Sequence, residues 1–299
     1  MILAMIISGT IGFFVVSSDQ SPFNVVFFRC AIGGSGLILY CLCKGFYRSL
    51  RITQRQGIYL LLGALTLIFN WVFLFTAYKL TSIGITTIIY HLQPFFLLFS
   101  SMLLMKERVK RSNLLWLTLA FIGLVVIIRP EQASLDERFL LGCLSAMAAA
   151  ILYAITTLLT RQIANEMRPE VIASSHMIVG TLVFLFIADL TVLPTTTAHW
   201  GAIATLGLFH TTFMYLLLYT AFKKATTTSL AVFGFVYPLV ALIVDYFAFG
   251  HIISISQGLG AVLILASGLA YNHGMVIHAL EKRAGCTPPD APDMEGSKQ

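Results

Sequence analysis

Charge is scarce in this chain, and acid is scarcest of all. Only 11% of its 299 residues are charged, against 58% that are hydrophobic. Soluble domains carry roughly 25% charged residues, so a soluble fold is excluded. Asp245 is the one acid well inside an apolar stretch, and Asp189 lies at the end of another. No carboxylate pair is therefore available for acid–base chemistry. The chain also lacks HExxH, GxSxG and P-loop sequences, which argues against an integral-membrane enzyme. It has no filter-like loop, which argues against a channel. Connections are short and hide no soluble domain, which argues against a receptor or scaffold. Cys30, Cys41, Cys43, Cys143 and Cys286 follow no metal spacing and read as packing residues or inert thiols. No metal or other cofactor is expected.

What the chain has is apolar length. A membrane span needs about 20 mainly apolar residues. Candidate spans fall at about 1–18, 22–43, 57–78, 82–105, 112–129, 138–160, 170–192, 198–222, 226–249 and 254–277. Mean hydropathy is +0.87. The first stretch lacks a charged leading region and an evident small-residue cleavage site, so it reads as a retained helix. Whether the native start lies upstream of Met1 stays open. Residues 284–299 are polar and Pro-rich, and a disordered tail is expected there.

The net charge of +6 is distributed by side. With the N-terminus inside, the inner loops hold Lys44, Arg48, Arg51 and Arg55, then Lys106, Arg108, Lys110 and Arg111. They also hold Arg161, Arg168, Lys223 and Lys224, and the inner tail adds Lys282, Arg283 and Lys298. The outer loops hold Lys79, Arg129 and Arg138. The positive-inside rule then predicts both termini in the cytoplasm. This basic excess is topological and gives no reason to expect nucleic acid as a partner.

The sequence also repeats. At an offset of 144, Gly63 meets Gly207, Phe69 meets Phe213, Thr76 meets Thr220, Lys79 meets Lys223 and Pro94 meets Pro238. At 147, Pro22 meets Pro169 and Arg29 meets His176. Two copies are expected, at 1–129 and 138–279. Five spans per copy is an odd number, so the second copy is inverted. Inverted repeats point to a secondary transporter with its site between the copies.

Several segments resemble the EamA-type transporters of the drug/metabolite transporter superfamily. They are FTAYKLTSIGITTIIYHLQPFF, MLLMKERVKRSNLLWLTLAFIGLVVIIRP, AAAILYAITTLLTRQI and AFKKATTTSLAVFGFVYPLVALIVDYF. The resemblance covers roughly residues 5–275. It implies an all-α integral membrane protein of ten transmembrane helices in two inverted five-helix repeats. It also implies export of small metabolites across a bacterial-type inner membrane, amino acids or related compounds leading and drug-like compounds second. The family usually has Gly-Glu at the ends of the fourth and ninth helices. Here Lys106-Glu107 and Gly250-His251 stand there.

Within the spans, Pro94 and Pro238 each remove the hydrogen bond to the carbonyl four residues back, at Tyr90 and Gly234. They are candidate hinges, with a plain packing kink as the alternative. Tyr90, His91 and Gln93 precede the first proline and Tyr237 the second. Asn70 and Trp71 lie in the third span; His210, Thr211 and Tyr215 lie in the eighth. As a set these polar and aromatic side chains are expected to line a wet cavity and contact a small amphipathic or aromatic solute. Singly, each suits an interhelical hydrogen bond. For Arg29, nearer the outer end of its span, two readings stand: a contact to a gate or an anionic substrate, or a structural anchor. For His176 they are a gate or proton site, or a neutral histidine bonded to a helix. With acids so few, a facilitator or exchanger is expected. Gly258, Gly260 and Gly268 suit close helix contact, supporting the bundle or a homodimer.

Overall fold

The computed structural model describes residues 1–48, 50–81, 83–104, 111–128, 136–249 and 254–283. Lys106, Glu107, Arg108, Lys110, Arg129, Gly250, His251 and the 284–299 tail lie outside the described residues. Every regular element among the described residues is helical. The described residues form ten apolar helical segments, α1–α10. Five are long and apolar enough to cross a membrane, and five are shorter.

Local sequence sets where the helices start. Helix α2 (Pro22–Cys43) has Pro22 in its first turn, and the Ser21 hydroxyl accepts from the Asn24 N–H at 3.1 Å. Helix α3 (Gln54–Leu80) opens on a capping box between Thr53 and Gln56. Asp136 caps α6 (Glu137–Ile163), and Pro169 opens α7 (Pro169–Phe184). Helices α5 (Arg111–Ile128) and α10 (Ile255–Arg283) complete the uninterrupted set.

Four of the ten predicted spans are broken. The first is α1a (Ile2–Ser8) and α1b (Ile11–Ser17). Gly9 at the break is packed so tightly that a Cβ would lie 2.6 Å from Val240 Cβ. The fourth is α4a (Ile83–Tyr90) and α4b (Gln93–Leu104). The ninth is α9a (Thr227–Gly234) and α9b (Val236–Phe249), the latter holding Asp245. Helices α4a and α9a end at Tyr90 and Gly234, the residues whose carbonyls lose a donor to Pro94 and Pro238. The eighth, α8, spans Thr197–Lys224 and contains a π-helical turn at Leu208–Phe213.

The seventh span is shorter than its apolar run, since α7 stops at Phe184 and the run was expected to reach 192. The side-chain amide of Asn24 donates to the carbonyls of Asp189 at 2.9 Å and Val192 at 3.1 Å. These bonds satisfy backbone that a longer helix would have satisfied.

The helix contacts repeat under exchange of helix n with helix n+5. Helix α3 packs on α6 as α8 packs on α1, and α3 packs on α7 as α8 packs on α2. Pairs α2–α7, α4–α9 and α5–α10 map onto themselves. The protein is thus two five-helix repeats around a local twofold axis. One buried cluster joins α1, α2, α3, α6, α7 and α8 and reaches Leu97 of α4 and Leu230 of α9, and a smaller one around Leu98, Leu117, Phe235 and Ile264 joins α4, α5, α9 and α10. In a bilayer, packing and interhelical hydrogen bonds drive such association. Asn70 supplies one, donating to the Ala149 carbonyl of α6 at 2.6 Å.

Candidate functional site

A cavity of about 90 Å³ lies between the repeats. It runs from Tyr78 and Tyr237 at one end to Met1, Phe222 and Leu230 at the other. Helices α1, α2, α3, α4, α6, α8 and α9 all contribute to its wall, and that wall is mostly apolar and aromatic. Drug-sized ligand pockets measure roughly 300–1,000 Å³, so a solute of that size requires the walls to part.

The breaks in α4 and α9 meet beside this cavity. The His91 ring stacks on Tyr237 with centroids 5.2 Å apart at 27°, and lies 5.4 Å from Phe235. A His91 ring nitrogen, Nδ1, pairs with the Thr87 carbonyl at 2.7 Å. Residues 91 and 235 also match at the repeat offset, so the two interruptions are partners in sequence as well as in space. The Tyr78 and Tyr237 hydroxyls meet at 3.1 Å and tie α3 to α9 at one cavity end. Next to them, Lys79 Nζ donates to the Gln20 carbonyl at 3.2 Å.

Arg29 is only 1% exposed, yet it lines the cavity. Its guanidinium carbon sits 4.0 Å over the Trp71 ring and 5.8 Å from that of Phe75. Its Nε donates to Thr211 Oγ1 at 3.2 Å, and Nη2 donates to the His210 carbonyl at 3.3 Å. The π-turn of α8 explains this reach. Thr211 Oγ1 donates five residues back to the Leu206 carbonyl at 2.7 Å, and His210 O is left facing α2. Close approach of α2 and α8 rests on two glycines. A Cβ on Gly33 would overlap Thr211, and one on Gly207 would lie 2.6 Å from Ile32 Cβ. Among the described residues no carboxylate pairs with Arg29; the ion pair present is Arg55–Glu166 at 3.0 Å, outside the spans.

Of the residues singled out from sequence, Arg29, Trp71, Tyr90, His91, Gln93, Pro94, Tyr215 and Tyr237 line the cavity. Asn70, His176, His210, Thr211 and Pro238 do not. Asn70 ties α3 to α6, as described above. His210 pairs through Nε2 with Thr10 Oγ1 at 2.6 Å and through Nδ1 with the Thr205 carbonyl at 3.2 Å. His176 Nδ1 pairs with the Tyr219 hydroxyl at 2.6 Å, while its buried Nε2 has no partner among the described residues. The reading from sequence missed Tyr78, Tyr153, Phe75, Leu218 and Phe222. The repeat offset maps Tyr78 onto Phe222 and Leu74 onto Leu218, all four lining the cavity, so applying it along α3 and α8 finds them.

Two helical repeats with a cavity at their axis, inside an apolar ten-segment bundle, define a membrane transporter architecture. The chain belongs to the EamA-like transporter family, which matches residues 1–129 and 140–271. It is 29% identical over 268 residues to the uncharacterised transporter YxxF of Bacillus subtilis, covering 89% of this chain and 86% of that one. It is 30% identical over 192 residues to the pseudopaline exporter CntI of Pseudomonas aeruginosa, covering 62% of this chain and 63% of that one. A crystal structure at 18% identity shares the fold, with a TM-score of 0.77 over 89% of this chain and 94% of the other. The protein is therefore an integral membrane transporter of this family.

Proposed function

We propose that the protein is a secondary carrier that exports a small metabolite of the amino-acid class by alternating access. The observation that carries this reading is the cavity built jointly by the two repeats at the meeting of their broken helices. The Tyr78–Tyr237 hydroxyl pair closes one end. By the positive-inside rule that end faces outward and the Met1 end faces the cytoplasm. In this reading the α4 and α9 segments rock about Pro94 and Pro238. The outer tie then breaks, and the Met1, Phe222 and Leu230 side closes. Export as the direction is supported by the name of the Pseudomonas relative. The cavity's many rings suit a solute with an aromatic or amphipathic body.

The apolar wall also suits drug-like compounds, the second reading. One experiment separates them. Efflux-sensitised cells expressing the protein are challenged with amino acids, their toxic analogues and hydrophobic drugs, and hits are tested for counterflow in proteoliposomes. Saturable counterflow of amino-acid-like solutes supports the proposal. Counterflow of drugs alone favours the second reading, and turnover of a solute without flux would mark an enzyme.

A further inference from the structure

We infer that Arg29 anchors a carboxylate group of the transported solute, through the Nη1–Nη2 edge of its guanidinium. This rests on the carrier reading above and specifies its substrate class.

A guanidinium has five N–H donors in one plane. Thr211 and the His210 carbonyl take one from Nε and one from Nη2, which together form the side edge of the fork. Of the remaining three, one on Nη1 and one on Nη2 form its end edge, the other on Nη1 points back beside the stem, and none has a partner among the described residues. Trp71 covers the ring-like face at 4.0 Å. Stacking on an aromatic face leaves the in-plane donors free, and a two-pronged edge matches the two oxygens of a carboxylate.

The energetics point the same way. Burying a charge costs several kcal/mol, and an apolar residue of similar volume often serves packing as well or better. A cation kept at 1% exposure without an acid is thus poorly explained by packing alone. An arriving anion supplies the missing charge. The cavity holds one such guanidinium, which balances a singly charged carboxylate and leaves a phosphate dianion half compensated. The rest of the solute would lie toward Tyr90, Tyr153 and Tyr237, which share the cavity wall.

The test uses three probes of one shape: 3-phenylpropionate, its neutral amide and phenethylamine. Binding to the full chain in detergent is measured by equilibrium dialysis and by thermal stabilisation. The carboxylate is expected to bind and stabilise, and the amide and amine to bind at least about tenfold more weakly, as expected for charge-assisted bonds. Arg29→Lys keeps the charge but loses the fork, and should weaken 3-phenylpropionate by between about tenfold and about a hundredfold. If that variant does not fold, the ranking of the three probes on the unaltered protein decides alone. Equal binding of all three, preference for the amine or amide, or no binding of the carboxylate overturns the inference. Saturable flux of a solute lacking a carboxylate would sink this inference and leave the carrier reading intact. Carboxylate-selective binding without flux of any bound solute would do the reverse.

Discussion

Trp71 meets Tyr215 edge-on, with ring centroids 5.6 Å apart at 87°, and the two positions are repeat partners at the offset of 144. They touch on the local twofold axis, where the copies face each other. Trp71 also carries the Arg29 guanidinium on its face. Trp71→Leu removes both interactions and should destabilise the protein by about 2 kcal/mol, the size of a desolvated cation–π contact. Tyr215→Phe keeps the ring and should cost much less. Thermal melting in detergent measures both.

Inversion has a direct consequence for the paired lysines. Lys79 is expected outside and Lys223 inside. Single cysteines at 79 and 223, labelled with a membrane-impermeant reagent, should react from opposite faces. Labelling of both from the same side would refute the topology.

Pro94→Ala and Pro238→Ala each return an N–H donor to the carbonyl at which the preceding helix half now ends. Each should slow transport while membrane levels stay near normal, with the double variant slowest. Full rates in all three variants would show the breaks to be packing kinks and not hinges.

The glycine partners Gly63 and Gly207 should differ in tolerance. Gly207→Ala drives a methyl into Ile32 and the α2 backbone and should cost about 1–3 kcal/mol. Gly63→Ala meets the His176 ring at 3.0 Å, where the neighbour has to give only slightly. The loss there should be smaller. Denaturation midpoints of the two variants, compared side by side, check this.

The loop tie beyond α6 gives a pH prediction. Glu166 accepts from Gln56 Nε2 at 2.9 Å and from Arg55 at 3.0 Å. The Gln56 bond, with Arg55 behind it, holds this carboxyl below its ordinary range. A depressed folded-state value means the tie is intact above the ordinary carboxylate pKa of about 4.3 and is lost as pH falls through the lower value. Glu166→Gln should therefore leave the pH–stability profile unchanged between neutrality and pH 5. Below that it should flatten the acid limb, read as melting temperature against pH.

Much of this architecture is legible in the sequence. The cap Thr53 and the first-turn Pro169 mark helix starts, and Pro94 and Pro238 mark the breaks because the lost hydrogen bond falls four residues upstream. The repeat offset makes Trp71 and Tyr215 equivalent positions, but only the fold shows that they touch. The setting of Arg29 was not legible. Its distance from the start of α2 suggests a place near the outer end, whereas the fold buries it against α3 and α8. Depth along one helix does not tell which neighbours close over a side chain. The π-turn that presents the His210 carbonyl leaves no mark either, because Gly63–Phe69 and Gly207–Phe213 have the same length. His210 reads as a cavity residue by depth alone, but it pairs with Thr10 and the Thr205 carbonyl; of the two readings of His176, its bond to Tyr219 fits the histidine bonded to a neighbouring helix.

That π-turn makes the two halves of the transporter unequal. The equivalent stretch of α3 is regular α-helix, so exchanging the roles of the repeats does not regenerate the same molecule. Under the proposed alternating-access cycle, the inward-facing and outward-facing forms would accordingly differ in free energy, and a solute would meet a different apparent Michaelis constant on each side. For a carrier with no coupled ion, the Haldane relation still makes kcat/KM equal in both directions. The maximal rates must then differ by the same factor as the Michaelis constants. One irregular turn would thus leave the equilibrium across the membrane untouched and set the side on which the carrier saturates first.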